Sequence, residues 1–182
     1  MLPRKDSSIF IISTFFLLAL SFFQILRAEV VEMILAKVQN KVFTLSDYQI
    51  ARKFQLVEIV FNEVETSDPD HYLVKLIETE LIYREGSILK IVKVSNEEIK
   101  ETLNNIKSSI SENYSVYLDD LDIREEFLIK LIQEKLIAKK HYDIRVNFFK
   151  GFGEEDSKTK IREWLDGLKT KAKMKILTED FK

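Results

Sequence analysis

The sequence predicts a mainly α-helical domain with a small β-hairpin near its start and a helix with a short strand at its end. Three observations point there. Glycine and proline are scarce, 4 and 2 in 182 residues, so few positions break a helix. Two capping patterns, Thr44 with Asp47 and Ser95 with Glu98, open stretches rich in Leu, Ile, Glu and Lys. Strand-like runs are few and short.

Met33–Val38 reads as a strand, Gln39-Asn40 as a turn and Lys41-Val42-Phe43 as the returning strand. A helix follows from Thr44 to roughly Leu56, with Tyr48, Ile50, Ala51, Phe54 and Val57 on its greasy face. Asn62–Pro69 is a polar break. The next helix, His71–Leu89, carries the stripe Leu73, Ile77 and Leu81, widened by Val74, Leu76 and Ile82. Ile91–Val94 is extended, and the Ser95 helix runs on to Ile110. Ser111–Leu121 reads as a loop holding Tyr114 and Tyr117.

Asp122–Tyr142 is the strongest helical pattern. Asp122, Glu125 and Glu126 open it, and Lys139, Lys140 and His141 fill its last turn, which suits the helix dipole. Phe127, Leu128, Leu131, Ile132, Leu136 and Ile137 give it a wide apolar face that must meet neighbouring helices or a partner. In Ile144–Phe149, Arg145 and Asn147 alternate with Val146 and Phe148, so this piece reads as extended. Gly151-Phe-Gly153 is a flexible joint. The last helix, Asp156–Lys173, carries Ile161, Trp164, Leu165, Leu168 and Ala172. Met174–Leu177 is a short final strand, and residues 178–182 are a tail.

Residues 1–28 stand apart. Arg4 and Lys5 precede an apolar run, Ile9–Phe23, and Ala28 closes the segment before the periodic part begins. That is the layout of a secretory signal cleaved after Ala28, although Leu26 and Arg27 are atypical at such a site. Residues 9–26 also approach the ~20 that a helix needs to cross a bilayer, so an uncleaved anchor fits the same run. Both readings put residues 29–182 outside the cytoplasm: periplasmic, or anchored in the inner membrane and facing the periplasm.

The whole chain has a net charge of −2. Without Met1–Ala28, which holds Arg4, Lys5, Arg27 and Asp6, 25 basic and 29 acidic residues remain, a balance of −4. No electrostatic footprint for nucleic acid follows from that. With no cysteine, disulfides and thiolate metal sites are excluded.

Little in the residues points to chemistry. His71 lies beside Asp68 and Asp70, an arrangement that reads first as a polar helix start, and His141 reads as a partner of the helix dipole. The acids Asp119, Asp120, Asp122, Glu125 and Glu126 lack the alternation and central glycine of a calcium loop. Gly151-Phe-Gly153 is followed by no Lys-Ser/Thr, so it is no phosphate cradle. Asn113-Tyr-Ser115 has the form of a glycosylation sequon. The expectation is a non-enzymatic protein with no cofactor and no metal.

Five stretches in order carry a resemblance. Ile34-Leu-Ala-Lys-Val-Gln-Asn-Lys-Val-Phe-Thr-Leu-Ser-Asp47 resembles the opening hairpin and helix start of SurA-type periplasmic chaperones, with Gln39 where that family usually has Asn. Leu76–Tyr83, Val92–Ile99 and Phe127–Ala138 resemble later helices of its N-terminal domain. Trp164–Leu177 is similar to the segment that in the family follows the parvulin isomerase domains and returns to complete the N-terminal core. The matches span Glu29–Leu177. Between Tyr142 and Trp164 there is room for only about 20 residues, where the family inserts domains of roughly 100.

The resemblance implies a SurA N-terminal-like chaperone domain over residues 29–177, with 143–177 closing the core and no isomerase. It implies a holdase for unfolded or outer-membrane polypeptides. The candidate client contacts are Tyr48, Phe54, Phe61, Tyr114, Tyr117 and Phe127. The alternative is an envelope scaffold that binds one folded partner, or a homodimer formed by swapping Asp156–Leu177 about Gly151 and Gly153.

Overall fold

A computed structural model describes residues 32–62, 64 and 67–177. The expected export segment and the tail lie outside the described residues. Among those described, no helix is long and apolar enough to cross a membrane.

The hairpin forms where expected. β1 (Ile34–Val38) pairs antiparallel with β2 (Lys41–Thr44), Val38 opposite Lys41 and Ala36 opposite Phe43, with a bulge between Ile34 and Ala36. Gln39 makes the turn at φ 52°, in the left-handed region that a side chain with a Cβ adopts at a cost. A third strand, β3 (Lys175–Ile176), joins the other side of β1, with Lys175 opposite Lys37 and Ile176 opposite Ala36. The order is therefore β2-β1-β3, and the first and last parts of the described chain share one sheet. Two backbone bonds tighten the join: Gln39 N–H donates to Ala172 O, and Leu177 N–H to Leu35 O.

Six helices follow the hairpin among the described residues. α1 (Leu45–Lys53) starts on the Thr44–Asp47 capping box. It ends three residues short of the expected Leu56, because Gln55 at φ 53° reverses the chain. The turns beyond it bury Phe54, Leu56, Val57, Val60 and Phe61. α2 (Pro69–Leu89) is capped by the Asp68 carboxylate, which accepts from the Asp70 and His71 backbone N–H groups. That cap is the role Asp68 takes beside His71. α3 (Asn96–Ser109) opens on the Ser95–Glu98 box, as read from the sequence.

Two expectations are corrected. Ser111–Leu121 is not all loop: Tyr114–Asp120 is a short helix, α4. Tyr114, Tyr117, Leu118 and Leu121 recur at helical spacing and pack half-buried on the core. Ile144–Phe149 is not extended either. α5 runs unbroken from Glu125 to Lys150. Nothing from Tyr142 to Lys150 breaks a helix, and extending one already formed is far cheaper than nucleating a new element. Asp122 stands outside α5 at φ 48°. His141 lies nine residues before its end, so it is no dipole partner.

After a three-residue turn, in which Gly153 takes φ 98°, α6 (Glu154–Lys171) returns along α5 and also meets α2. α2 and α5 form the central pair, with α3 also against α5. The core runs from Leu35, Val38 and Phe43 of the hairpin through Tyr72 and Ile77 of α2 to Leu128 and Ile132 of α5.

Candidate functional site

A polar cluster holds the closing helix in place. Glu85 on α2 reaches two elements at once. His141 of α5 lies 2.7 Å from its Oε2, Trp164 of α6 donates its indole N–H to the same oxygen at 3.0 Å, and Arg145 of α5 donates to Oε1 at 3.0 Å. A carboxylate only accepts, so His141 Nε2 carries the proton. Burial pushes the Glu85 carboxyl up. The hydrogen bond from His141, the charge of Arg145 and the Trp164 N–H outweigh it and hold the group below the ordinary carboxylate range. His141 is buried, and its ring meets Trp164 edge-on at 6.0 Å. Gly86 makes this packing possible, since a Cβ there would lie 3.0 Å from His141 Cβ. A second tie joins Lys169 of α6 to the buried carboxylate of Glu78 at 2.9 Å.

Lys135 of α5 is buried within reach of the charge of the Glu80 carboxylate, whose ion pairs are with Lys41 and Arg84. Burial drives the Lys135 ammonium down to about 8, and Glu80 opposes the shift only in part.

Beyond Glu85, apolar side chains at the ends of α2 and α5 are exposed among the described residues. The bonds from Glu85 set the last turn of α2 beside the last two turns of α5. There Ile88, Leu89 and Ile91 on one side and Ile144, Phe148 and Phe152 on the other are exposed, Ile88 by 79% and Phe148 by 61%. Ile91 and Ile144 line one shallow pocket of about 370 Å³ with Lys93, Lys140 and Asp143. The Phe148 ring contacts those of Phe149 and Phe152 at 5.5 and 5.6 Å. Isolated exposed apolar residues are ordinary on a protein surface, and it is their grouping at the ends of α2 and α5 that makes this the candidate site.

The six aromatics expected to meet clients are differently placed. Tyr48, Phe54 and Phe61 are buried, which corrects their assignment as surface contacts. Tyr48 packs edge-on against Tyr72 at 5.5 Å, and Phe61 against Tyr142 at 5.1 Å. Phe54 receives Tyr114 and Tyr117 edge-on at 5.9 and 6.2 Å, so these three form one cluster in which the tyrosines are half-buried. Tyr48 and Tyr117 also border an open cleft of about 670 Å³ with Arg52, Lys53 and Asp120. Phe127 is 44% exposed at the start of α5. Sequence reasoning missed Phe148 because it read Ile144–Phe149 as extended, and Phe152 because it read Gly151-Phe-Gly153 only as a flexible joint. The i, i+4 pairs His141–Arg145 and Ile144–Phe148 were the available signal.

Compared with protein-family models and with curated proteins, the chain matches none.

Proposed function

We propose that this chain is an exported, non-enzymatic holdase of the SurA N-terminal type, which binds unfolded envelope polypeptides at the uncovered apolar end of α2 and α5. That exposed cluster is the observation that carries the reading. The proposal is further supported by the meeting of β1 and β3, since the family resemblance requires the closing segment to complete the opening hairpin. Residues 143–163 are taken up by the end of α5, the three-residue turn and the start of α6, a plain connection in place of an isomerase.

Affinity on such a surface is modest. Covering an exposed phenylalanine removes about 100 Å² of apolar area, or roughly 2–3 kcal/mol at ~25 cal/mol per Å². Phe148 and Phe152 together thus supply about 5 kcal/mol, from which the cost of association is subtracted. Weak, reversible capture suits a holdase.

The test adds the protein at stoichiometric amounts to an aggregating unfolded client and follows light scattering. Scattering should fall, and the Phe148→Ser/Phe152→Ser variant should lose most of the effect while keeping its circular dichroism. Unchanged scattering, with one folded partner co-purifying, would replace the holdase by a scaffold. A clear acceleration of proline isomerisation in a peptide assay would overturn the non-enzymatic part.

A further inference from the structure

The exposed stripe at the end of α5 is laid out so that it can meet its own image. Ile144, Phe148 and Phe152 follow one another at steps of four residues, and the Phe148 and Phe152 rings lie 5.6 Å apart. One end of the stripe is a hollow: Ile144 lines the shallow pocket of about 370 Å³ together with Ile91, Val92 and Lys93. The other end is a knob. Phe152 is 51% exposed in the turn after α5, with Lys160 over its ring at 4.9 Å. Hollow and knob are eight residues apart, or about 12 Å at the rise of a helix.

A two-fold axis through Phe148 exchanges those ends. It carries Phe152 of each copy over the Ile91–Ile144 hollow of the other and brings the two Phe148 side chains together at the centre. One patch then meets itself, which is the isologous contact of a symmetric pair.

The area available suits such a contact. Ile88, Leu89, Ile91, Ile144, Phe148 and Phe152 are exposed by 45–79%. At about 200 Å² for a fully exposed large side chain, the six offer roughly 700 Å². A stable pair of proteins buries about 800 Å² on each partner, and the border of the stripe supplies the difference. That border carries both signs of charge, since Lys90, Lys93 and Lys150 are exposed and so are Glu154, Glu155 and Asp156. A second copy therefore meets no uniform like charge. An anionic bilayer or a nucleic acid finds no field of one sign to read.

We propose that two copies of this chain pair through the ends of α2 and α5, with Phe152 of each seated in the Ile91–Ile144 hollow of the other. No segment is exchanged, and β3 stays on β1 of its own chain. The pair hides Phe148 and Phe152, so pairing and client capture exclude one another on this surface. Pairing does not rest on client capture, because it is observed with no client present.

The full chain is sedimented alone over a range of concentrations. It should pass from monomer to dimer in the micromolar range, the weak end for interfaces of this size. Each substitution counts twice in a symmetric pair, so Phe152→Ser should weaken association by about a hundredfold or more with circular dichroism unchanged. The chain has no cysteine, so introduced thiols report the contact cleanly. An Ile144→Cys chain mixed with a Phe152→Cys chain should form the mixed disulfide under mild oxidation about tenfold faster than either chain alone forms its own. Like positions lie about 24 Å apart across the axis, whereas the unlike ones meet. A single monomeric species up to about 200 μM, association that Phe152→Ser leaves unchanged, or equal rates in the three oxidations would overturn the proposal. A chain that protects clients but stays monomeric removes the pairing alone, and a chain that pairs but protects nothing keeps the pairing and removes the holdase.

Discussion

Removing the Glu85 carboxylate should release the closing helix before the rest of the body unfolds. Glu85 receives three hydrogen bonds, from His141, Arg145 and Trp164, the last from α6. A hydrogen bond to a charged group contributes about 1.5–3 kcal/mol. The Glu85 side chain keeps 24% of its exposure, so solvent offsets part of the sum. In Glu85→Ala the buried His141 Nε2 is left without its acceptor, which adds desolvation cost. We expect a net loss of about 3 kcal/mol, and about 1–2 kcal/mol for Trp164→Phe, which removes one donor and keeps most of the packing. The double variant should fall short of the sum by about 1 kcal/mol, the coupling across the α2–α6 contact. Trp164 is the only tryptophan, so its fluorescence reports α6 while circular dichroism reports the whole. In urea the two transitions should coincide for the parent chain and separate for Glu85→Ala. Because the folded carboxyl is held below its ordinary range, its contribution is present above the unfolded pKa and disappears as pH falls through the folded one. The gap between parent and Glu85→Gln should therefore close in acid. A loss below about 1 kcal/mol with coincident transitions would refute the reasoning.

Four more outcomes follow from particular positions. Burial lowers the Lys135 pKa from 10.5 to about 8, so between these values the unfolded chain binds more protons and stability should rise with pH; Lys135→Met should flatten the rise and add up to about 3 kcal/mol near pH 7, read from urea midpoints. Above pH 10 the trend should reverse, since burial and Glu58 hold the Tyr72 phenol well above its ordinary value. Gly86→Ala should cost about 1–3 kcal/mol by driving a Cβ to 3.0 Å from His141, whereas Gly167→Ala on α6, with nothing within 4 Å, should gain about 0.5–1 kcal/mol; equal midpoints for the two would contradict this. Gln39→Asn should gain about 0.5 kcal/mol, because Asn tolerates φ 52° better than Gln; a lower midpoint at unchanged slope would count against strain there.

What was legible in the sequence was local. The capping boxes at Thr44 and Ser95 close through hydrogen bonds three residues apart, so they are visible without the fold. The hairpin is equally short-range. The end of α5 failed because six alternating residues imitate a strand, and only the missing breaker before Gly151 argued otherwise. Burial was the harder question. Tyr48 was placed correctly on a greasy helix face and Phe54 lies just past the helix end, but whether they are covered depends on Tyr72, Tyr114 and Tyr117, which lie far along the chain. The Glu85 cluster joins residues 56 to 79 positions apart, and no local pattern announces it.

The closing helix also offers a way to tell a static client surface from one that opens. α6 covers part of the core with Leu165, and its partly buried residues Trp164 and Leu168 pack there too. If clients bind only the exposed end, capture depends on Phe148 and Phe152 and is indifferent to how firmly α6 is held. If clients bind the surface beneath α6, its release is a step in binding, and capture improves by as much as the Glu85 variant favours the open form. A loss of about 3 kcal/mol at Glu85 is a factor of roughly 150 in that equilibrium, far above the scatter of an aggregation assay. We expect Glu85→Ala to leave the stoichiometry of client protection within about twofold of the parent, and Phe148→Ser/Phe152→Ser to abolish it. The opposite pattern would move the client surface from the end of α5 to the face that α6 conceals.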